Sequence, residues 1–170
     1  MLVAVDMQLG FLNESSGHIL PTVTDLIDDM RNIGVETICT LFRNPPDSPY
    51  ERLMNWTRVR NSPETDLHPT LAAMRAITIE KGCYTAITPE FNDLAELKNW
   101  RNLIICGVST ESCVLKTAVD AFEQDYRPIV IADACASDLG DEMHRMGLAI
   151  IEVLIGKDQV MTSKEFFAAL

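Results

Sequence analysis

The sequence is poor in the features that would mark a metalloprotein, a redox carrier or a secreted protein. Its 3 histidines, His18, His68 and His144, are far apart and lack ligand spacing, which argues against a metal site. Its 5 cysteines, Cys39, Cys83, Cys106, Cys113 and Cys135, contain no C-x-x-C, so neither a thioredoxin-type motif nor a zinc ribbon is signalled. No G-x-G-x-x-G follows the first apolar run, which removes the dinucleotide fingerprint. The opening MLVAVDMQLGF has no basic n-region, and its apolar run stops at Asp6, too short for a signal peptide or a membrane span. Basic residues are scarce, 14 against 25 acidic ones, and the net charge of −11 repels phosphate backbones and anionic lipid. Neither nucleic acid nor a membrane is therefore an expected partner. An odd set of thiols without close pairs points to a reducing, cytoplasmic compartment.

What is present suits one folded unit. A chain of 170 residues with 47% hydrophobic content can bury one large core, so a single domain over 1–170 is expected. No internal repeat, low-complexity tract or linker divides it. Short apolar runs alternate with helical periodicity. Strands are predicted at Leu2–Val5, Val35–Leu41, Ala76–Glu80, Asn102–Cys106, Arg127–Ala132 and Asp158–Met161. Helices are predicted at Ile19–Ile33, Pro89–Trp100, Thr110–Asp125, Leu139–Leu154 and Ser163–Leu170. The segment 43–66 carries Pro45, Pro46, Pro49 and Pro63 and reads as a long functional loop with a turn or two of helix around Tyr50–Trp56. Near-continuous apolar strands between helices indicate a doubly wound, Rossmann-like α/β fold: a mainly parallel sheet covered on both faces, in three αβα layers.

In such sheets ligands bind beyond the carboxyl ends of the strands. Three residues lie just past strand ends in different units: Asp6, Lys81 and Cys113. Thr110 is a candidate N-cap, which puts Cys113 in a first helical turn, where free N–H groups and the helix dipole favour a thiolate and could hold an oxyanion. Each residue also has a plainer reading, as an inert buried thiol, a capping carboxylate and a surface lysine.

Together these segments resemble the isochorismatase-like superfamily of cysteine hydrolases, which includes nicotinamidases and N-carbamoylsarcosine amidohydrolases. The residues that carry the likeness are Val3-Ala4-Val5-Asp6-Met7-Gln8-Leu9-Gly10-Phe11, Lys81-Gly82-Cys83-Tyr84-Thr85-Ala86 and Gly107-Val108-Ser109-Thr110-Glu111-Ser112-Cys113-Val114. Ile131-Ala132-Asp133-Ala134-Cys135 also fits. The resemblance implies a six-stranded sheet in the order 3-2-1-4-5-6. It also implies an Asp6–Lys81–Cys113 triad, a cis peptide between Val108 and Ser109, and an oxyanion hole from the Ser109 and Cys113 N–H groups. Relatives are commonly dimers or larger, so a homo-oligomer is expected.

The expected reaction is cleavage of a carbon–nitrogen bond in a small amide, carbamoyl or ureido compound through a thioester. Two alternatives stay open: vinyl ether hydrolysis of the isochorismate kind, and a non-catalytic or redox-active thiol on the same fold. Nicotinamidases of this kind usually carry an Asp-x-His-x-His-type metal site after the second strand. Here that region reads Thr40-Leu41-Phe42-Arg43-Asn44-Pro45-Pro46, so no metal and no cofactor is expected. The substrate-pocket candidates are Gln8, Phe11, Arg43, Trp56 and Tyr84. Arg43 reads either as a bidentate partner for a substrate carboxylate or as a surface residue, and the aromatics read as pocket wall or as core.

Overall fold

The computed structural model describes residues 1–170. Strand β1 (Leu2–Val5) is buried at every residue and pairs in parallel with β2 (Thr37–Phe42) on one side and β4 (Asn102–Val108) on the other. Beyond β2 lies β3 (Ile77–Lys81), and beyond β4 lie β5 (Arg127–Ala136) and the short β6 (Val160–Met161). The order is β3-β2-β1-β4-β5-β6, as the resemblance implies, and every pairing is parallel. That order puts β1 and β4 side by side, so whatever follows them meets at one rim.

The helices follow their start signals. α1 (Leu20–Asn32) carries Pro21 in its first turn and buries Val23, Leu26, Ile27 and Met30, an i, i+3, i+4, i+7 stripe against the sheet. α4 (Pro89–Leu97) is capped by Thr88, whose side chain accepts from the Phe91 N–H at 3.2 Å. α5 (Leu115–Glu123), α6 (Asp141–Ile155) and α7 (Ser163–Ala168) complete the layers, the last behind a capping box of Thr162 and Glu165. No helix is long and apolar enough to cross a membrane.

Several boundaries differ from those read in the sequence, for local reasons. The expected helix over 110–125 begins as a π-helical turn, Thr110–Val114, before α5 proper, and the residue preceding that turn is Ser109 rather than Thr110. The Thr110 hydroxyl instead bonds His144 Nδ1 on α6 at 2.8 Å. Strand β5 runs four residues past Ala132, because a register shift between Ile105 and Gly107 lets Cys135 and Ala136 pair with Gly107 and Val108. Within 43–66 the helical turn is α2 (Pro49–Met54). Ser48 caps it, and Asn55 ends it in the left-handed region at φ 53°. A further short helix, α3 (Pro69–Ala73), has no counterpart in the sequence reading.

Two glycines set the geometry near the rim. A Cβ on Gly107 would lie 2.2 Å from the Val5 carbonyl oxygen, so β4 reaches the end of β1 only because this residue has no side chain. A Cβ on Gly147 would meet the Glu111 backbone nitrogen at 2.8 Å, so α6 packs directly on the π-turn that carries Cys113.

Candidate active site

Asp6 is the first residue beyond β1, fully buried, with φ 49° in the left-handed region that aspartate tolerates better than most residues. Its carboxylate is held at both oxygens. Thr40 in β2 donates its hydroxyl to Oδ1 at 2.7 Å and accepts from the Asp6 N–H at 3.1 Å. Lys81, the last residue of β3, donates to Oδ2 at 2.7 Å. The ammonium also bonds the carbonyls of Cys83 and Tyr84, each at 2.9 Å, so all three of its donors have partners. Its side chain is fully buried, 5.4 Å from the Phe42 ring centroid. Burial alone favours a neutral amine, yet the charge of Asp6 and the bond it accepts outweigh it, leaving the Lys81 pKa raised.

Cys113 comes from the π-turn after β4 and is 4% exposed. The charges of Asp6 and Lys81 both act on its thiol. The three sequence candidates therefore meet at the rim where β1, β3 and β4 end. The expectation of an acidified thiol is corrected. Burial, followed by the negative charge of Asp6, lifts the Cys113 pKa well above its ordinary value, while Lys81 pulls the other way. Burial and the neighbouring carboxylate thus both work against the charge on sulfur that the helix start was expected to favour.

The sulfur borders a cavity of about 370 Å³ lined by residues from both halves of the sheet. Phe11, Trp56 and Tyr84 line it, joined by Phe42 and Tyr50, which the sequence reading did not single out. Phe11 and Trp56 stack at 6.3 Å between centroids, while Tyr50 meets Phe42 and Tyr84 edge-on, each at 5.2 Å. Ser109, Glu111, Ser112 and Asp138 complete the polar part. The Val108–Ser109 peptide is cis, where the resemblance places it, and the Ser109 hydroxyl donates to Asp138.

Two pocket candidates lie elsewhere. Gln8 is fully buried and ties the long loop to the sheet. Its amide donates to the carbonyls of Phe42 at 3.0 Å and Thr65 at 2.8 Å, and its oxygen accepts from the Phe42 N–H at 2.7 Å. With its hydrogen bonding turned to backbone, it is a strut outside the cavity lining. Arg43 also lies outside the lining, paired at the surface with Glu80 at 2.8 Å. Thr40 went unnoticed, and its only signal was a hydroxyl inside the apolar run that became β2. Glu111 and Asp138 gave no signal in one sequence, because their significance comes from the packing of β5 and α6 around the π-turn.

The histidines sit apart: His18 in a turn before α1, His68 capping α3, His144 bonded to Thr110. No three His, Cys, Asp or Glu side chains come together as a ligand set.

Comparison with known proteins bears on the family and the fold. A profile of the isochorismatase domain matches residues 1–164. Isochorismatase domain-containing protein 2 of Xenopus laevis is 33% identical over 75 residues, 42% of this chain and 37% of that protein. The matched stretch thus spans little more than a third of the length of such curated relatives. An isochorismatase-like hydrolase from Alkaliphilus metalliredigens superposes with a TM-score of 0.86 at 20% identity, covering 99% of this chain and 97% of that one. N-carbamoylsarcosine amidase from Thermoplasma acidophilum superposes with a TM-score of 0.78 at 18% identity, covering 95% and 92%. At these identities the structural likeness is one of fold.

Proposed function

The chain belongs to the isochorismatase family, and on that footing we propose that it is a cysteine hydrolase that opens a carbon–nitrogen bond of a small amide, carbamoyl or ureido compound. The observation that carries the reading is the buried Asp6–Lys81 pair, 2.7 Å apart, acting on a thiol that borders a cavity. A structural ion pair alone has no need of a sulfur nucleophile next to it.

In this reading Asp6 takes the Cys113 proton as the sulfur attacks, so no stable thiolate has to exist beforehand. The new carbon–sulfur bond pushes the carbonyl electrons onto oxygen, and the Ser109 and Cys113 N–H groups receive that oxyanion. As the oxyanion collapses, the carbon–nitrogen bond breaks and the nitrogen takes the proton from Asp6. Water then gives a proton to Asp6 and its oxygen to the thioester carbon. The departing sulfur recovers the proton, leaving the acid. Lys81 keeps its charge throughout and offsets the buried carboxylate, while Thr40 fixes the other carboxylate oxygen.

The proposal includes a homo-oligomer working in a reducing cytosol. Support comes from the exposed stripe of Met146, Ile150 and Val153 on α6 and from five unbridged cysteines. Light scattering on the purified protein checks the first. The test of the chemistry is ammonia release from a panel of small amides and carbamoyl compounds, with intact-mass trapping of an acyl adduct. An adduct on Cys113, absent from Cys113→Ala, is the expected result. Full turnover by Cys113→Ala on the true substrate excludes covalent catalysis and leaves acid–base cleavage of a vinyl ether by Asp6.

A further inference from the structure

The cavity beside Cys113 divides by chemistry along the sheet. Its aromatic wall comes from the β1–β2–β3 half: Phe11, Phe42 and Tyr84, with Tyr50 and Trp56 from the long loop. Its polar wall comes from the segments after β4 and β5 and carries two carboxylates, Glu111 and Asp138. No lysine, arginine or histidine lines it. Lys81, which bonds Asp6, has its other donors occupied by two carbonyls, and Arg43 is tied to Glu80 outside the lining.

Glu111 adds an independent sign of a missing partner. Its Oε1 accepts from the Ser137 hydroxyl at 2.8 Å, but its Oε2 is buried without any hydrogen-bond partner. A buried carboxylate oxygen left unpaired is costly, and such exceptions call for an explanation. His144 does not supply the missing charge: its Nδ1 is engaged with Thr110, and burial holds its pKa below the usual value despite the acidic residues nearby. Aromatic faces attract cations and stack on planar groups, and carboxylates attract cations and repel anions.

From this pairing of an aromatic box with two carboxylates, one of them short of a donor, we infer that the pocket selects a positively charged amide. The substrate carries a small ammonium or amidinium group beyond its scissile bond, and carboxylate-bearing amides are turned away. The cavity of about 370 Å³ sits toward the small end of ligand pockets, so the cation is compact. The inference rests on the amide-hydrolase reading and sharpens it, because nothing in the reaction itself demands a charge on the substrate.

The experiment uses one acetamide series in three versions: trimethylammonium, tert-butyl and carboxylate. Ammonia release gives kcat/KM for each. The expected order is cation, neutral, anion, with about a tenfold or larger gap between the first and second, and Glu111→Gln narrows that gap. In parallel, binding of the trimethylammonium and tert-butyl compounds to the Cys113→Ala protein is measured by calorimetry. Tighter binding of the cation without turnover by the native enzyme supports the charge selection and counts against the hydrolase reading. Turnover with equal rates, or with the carboxylate favoured, overturns the charge selection and keeps the hydrolase. Equal binding in the Cys113→Ala protein overturns it as well, even where Glu111→Gln fails to fold.

Discussion

Two hollows of nearly equal size, about 380 and about 370 Å³, lie at opposite ends of the strands, and only one has the makings of a reaction centre. The first sits where β2 and β3 begin, among Arg31, Glu36, Thr37, Met74, Arg75 and Ile77. It contains no aromatic ring and no thiol, and Arg31 is occupied by Asp28 and the Met74 carbonyl, each at 2.9 Å. The second lies where the strands end, next to Cys113. Volume is the same; wiring is not. At the carboxyl ends of parallel strands the chain turns into helix starts, and side chains from non-adjacent units converge where strand order reverses. At the amino ends the chain arrives from helix termini and nothing comparable gathers.

The comparison breaks most sharply at the sulfur. Cys113→Ala is expected to lower kcat/KM by about 10⁴-fold or more, as loss of a nucleophile does. Arg75→Ala, in the opposite hollow, is expected to stay within about twofold of the native rate, in line with a surface change away from any site. Parallel steady-state assays with matched urea melts check both. A large loss in Arg75→Ala with an intact fold would mean that the wrong end of the sheet was chosen.

Next in size is the buried pair. Lys81→Met leaves the buried carboxylate of Asp6 without its cation, and removal of one partner of a buried pair costs about 3–5 kcal/mol. The sign with pH follows from the raised Lys81 pKa. A group raised on folding contributes stability in full below its ordinary pKa, about 10.4, and loses it as pH rises through the folded value. Urea melts of native and Lys81→Met protein should therefore stay separated by a constant gap from neutral pH to about pH 10 and converge only above that. A gap that closes between pH 7 and 9 would show that the ammonium is not what holds the carboxylate.

How much of this was open to view in the chain itself differs between backbone and pocket. The meeting of Asp6, Lys81 and Cys113 was legible because each sits at or beyond the carboxyl end of a strand, and a resemblance supplied the strand order. Gln8 looked like a pocket residue because it sits two positions after Asp6. Only the fold shows its amide satisfied by Phe42 and Thr65. The thiol pKa was misjudged for a similar reason: a helix start is visible in sequence, but the depth of burial that outweighs it is not. Glu111 and Asp138 owe their position to Gly147 and to the β4–β5 register shift, long-range features that no local pattern announces.

Thr40 offers a smaller, sharper cut. Its hydroxyl touches no substrate; it fixes Oδ1 of Asp6 at 2.7 Å. Thr40→Val keeps the shape of the side chain and deletes that bond, and hydrogen bonds to charged groups are worth about 1.5–3 kcal/mol. A ten- to hundredfold loss in kcat with little change in KM is expected, since the carboxylate loses the donor that fixes its orientation. Thr40→Ser should recover most of the rate. A purely structural role predicts lower stability with kcat of the folded protein unchanged, which melts and steady-state rates measured together distinguish.

The smallest effect belongs to Arg43, which looked in the sequence like a clamp for a substrate carboxylate. It is paired instead with Glu80 at the surface, both side chains about half exposed, and such pairs contribute about 0.2–1 kcal/mol. Arg43→Ala should therefore cost less than about 1 kcal/mol in urea melts. It should also leave the ratio of kcat/KM between carboxylate-bearing and neutral amides unchanged, because no cation reaches the cavity from this position. A selective loss against the carboxylate-bearing amide would bring Arg43 into the pocket and reverse the charge preference assigned to Glu111 and Asp138. The least consequential substitution on the stability scale thus carries the most pointed information about which molecule the site accepts.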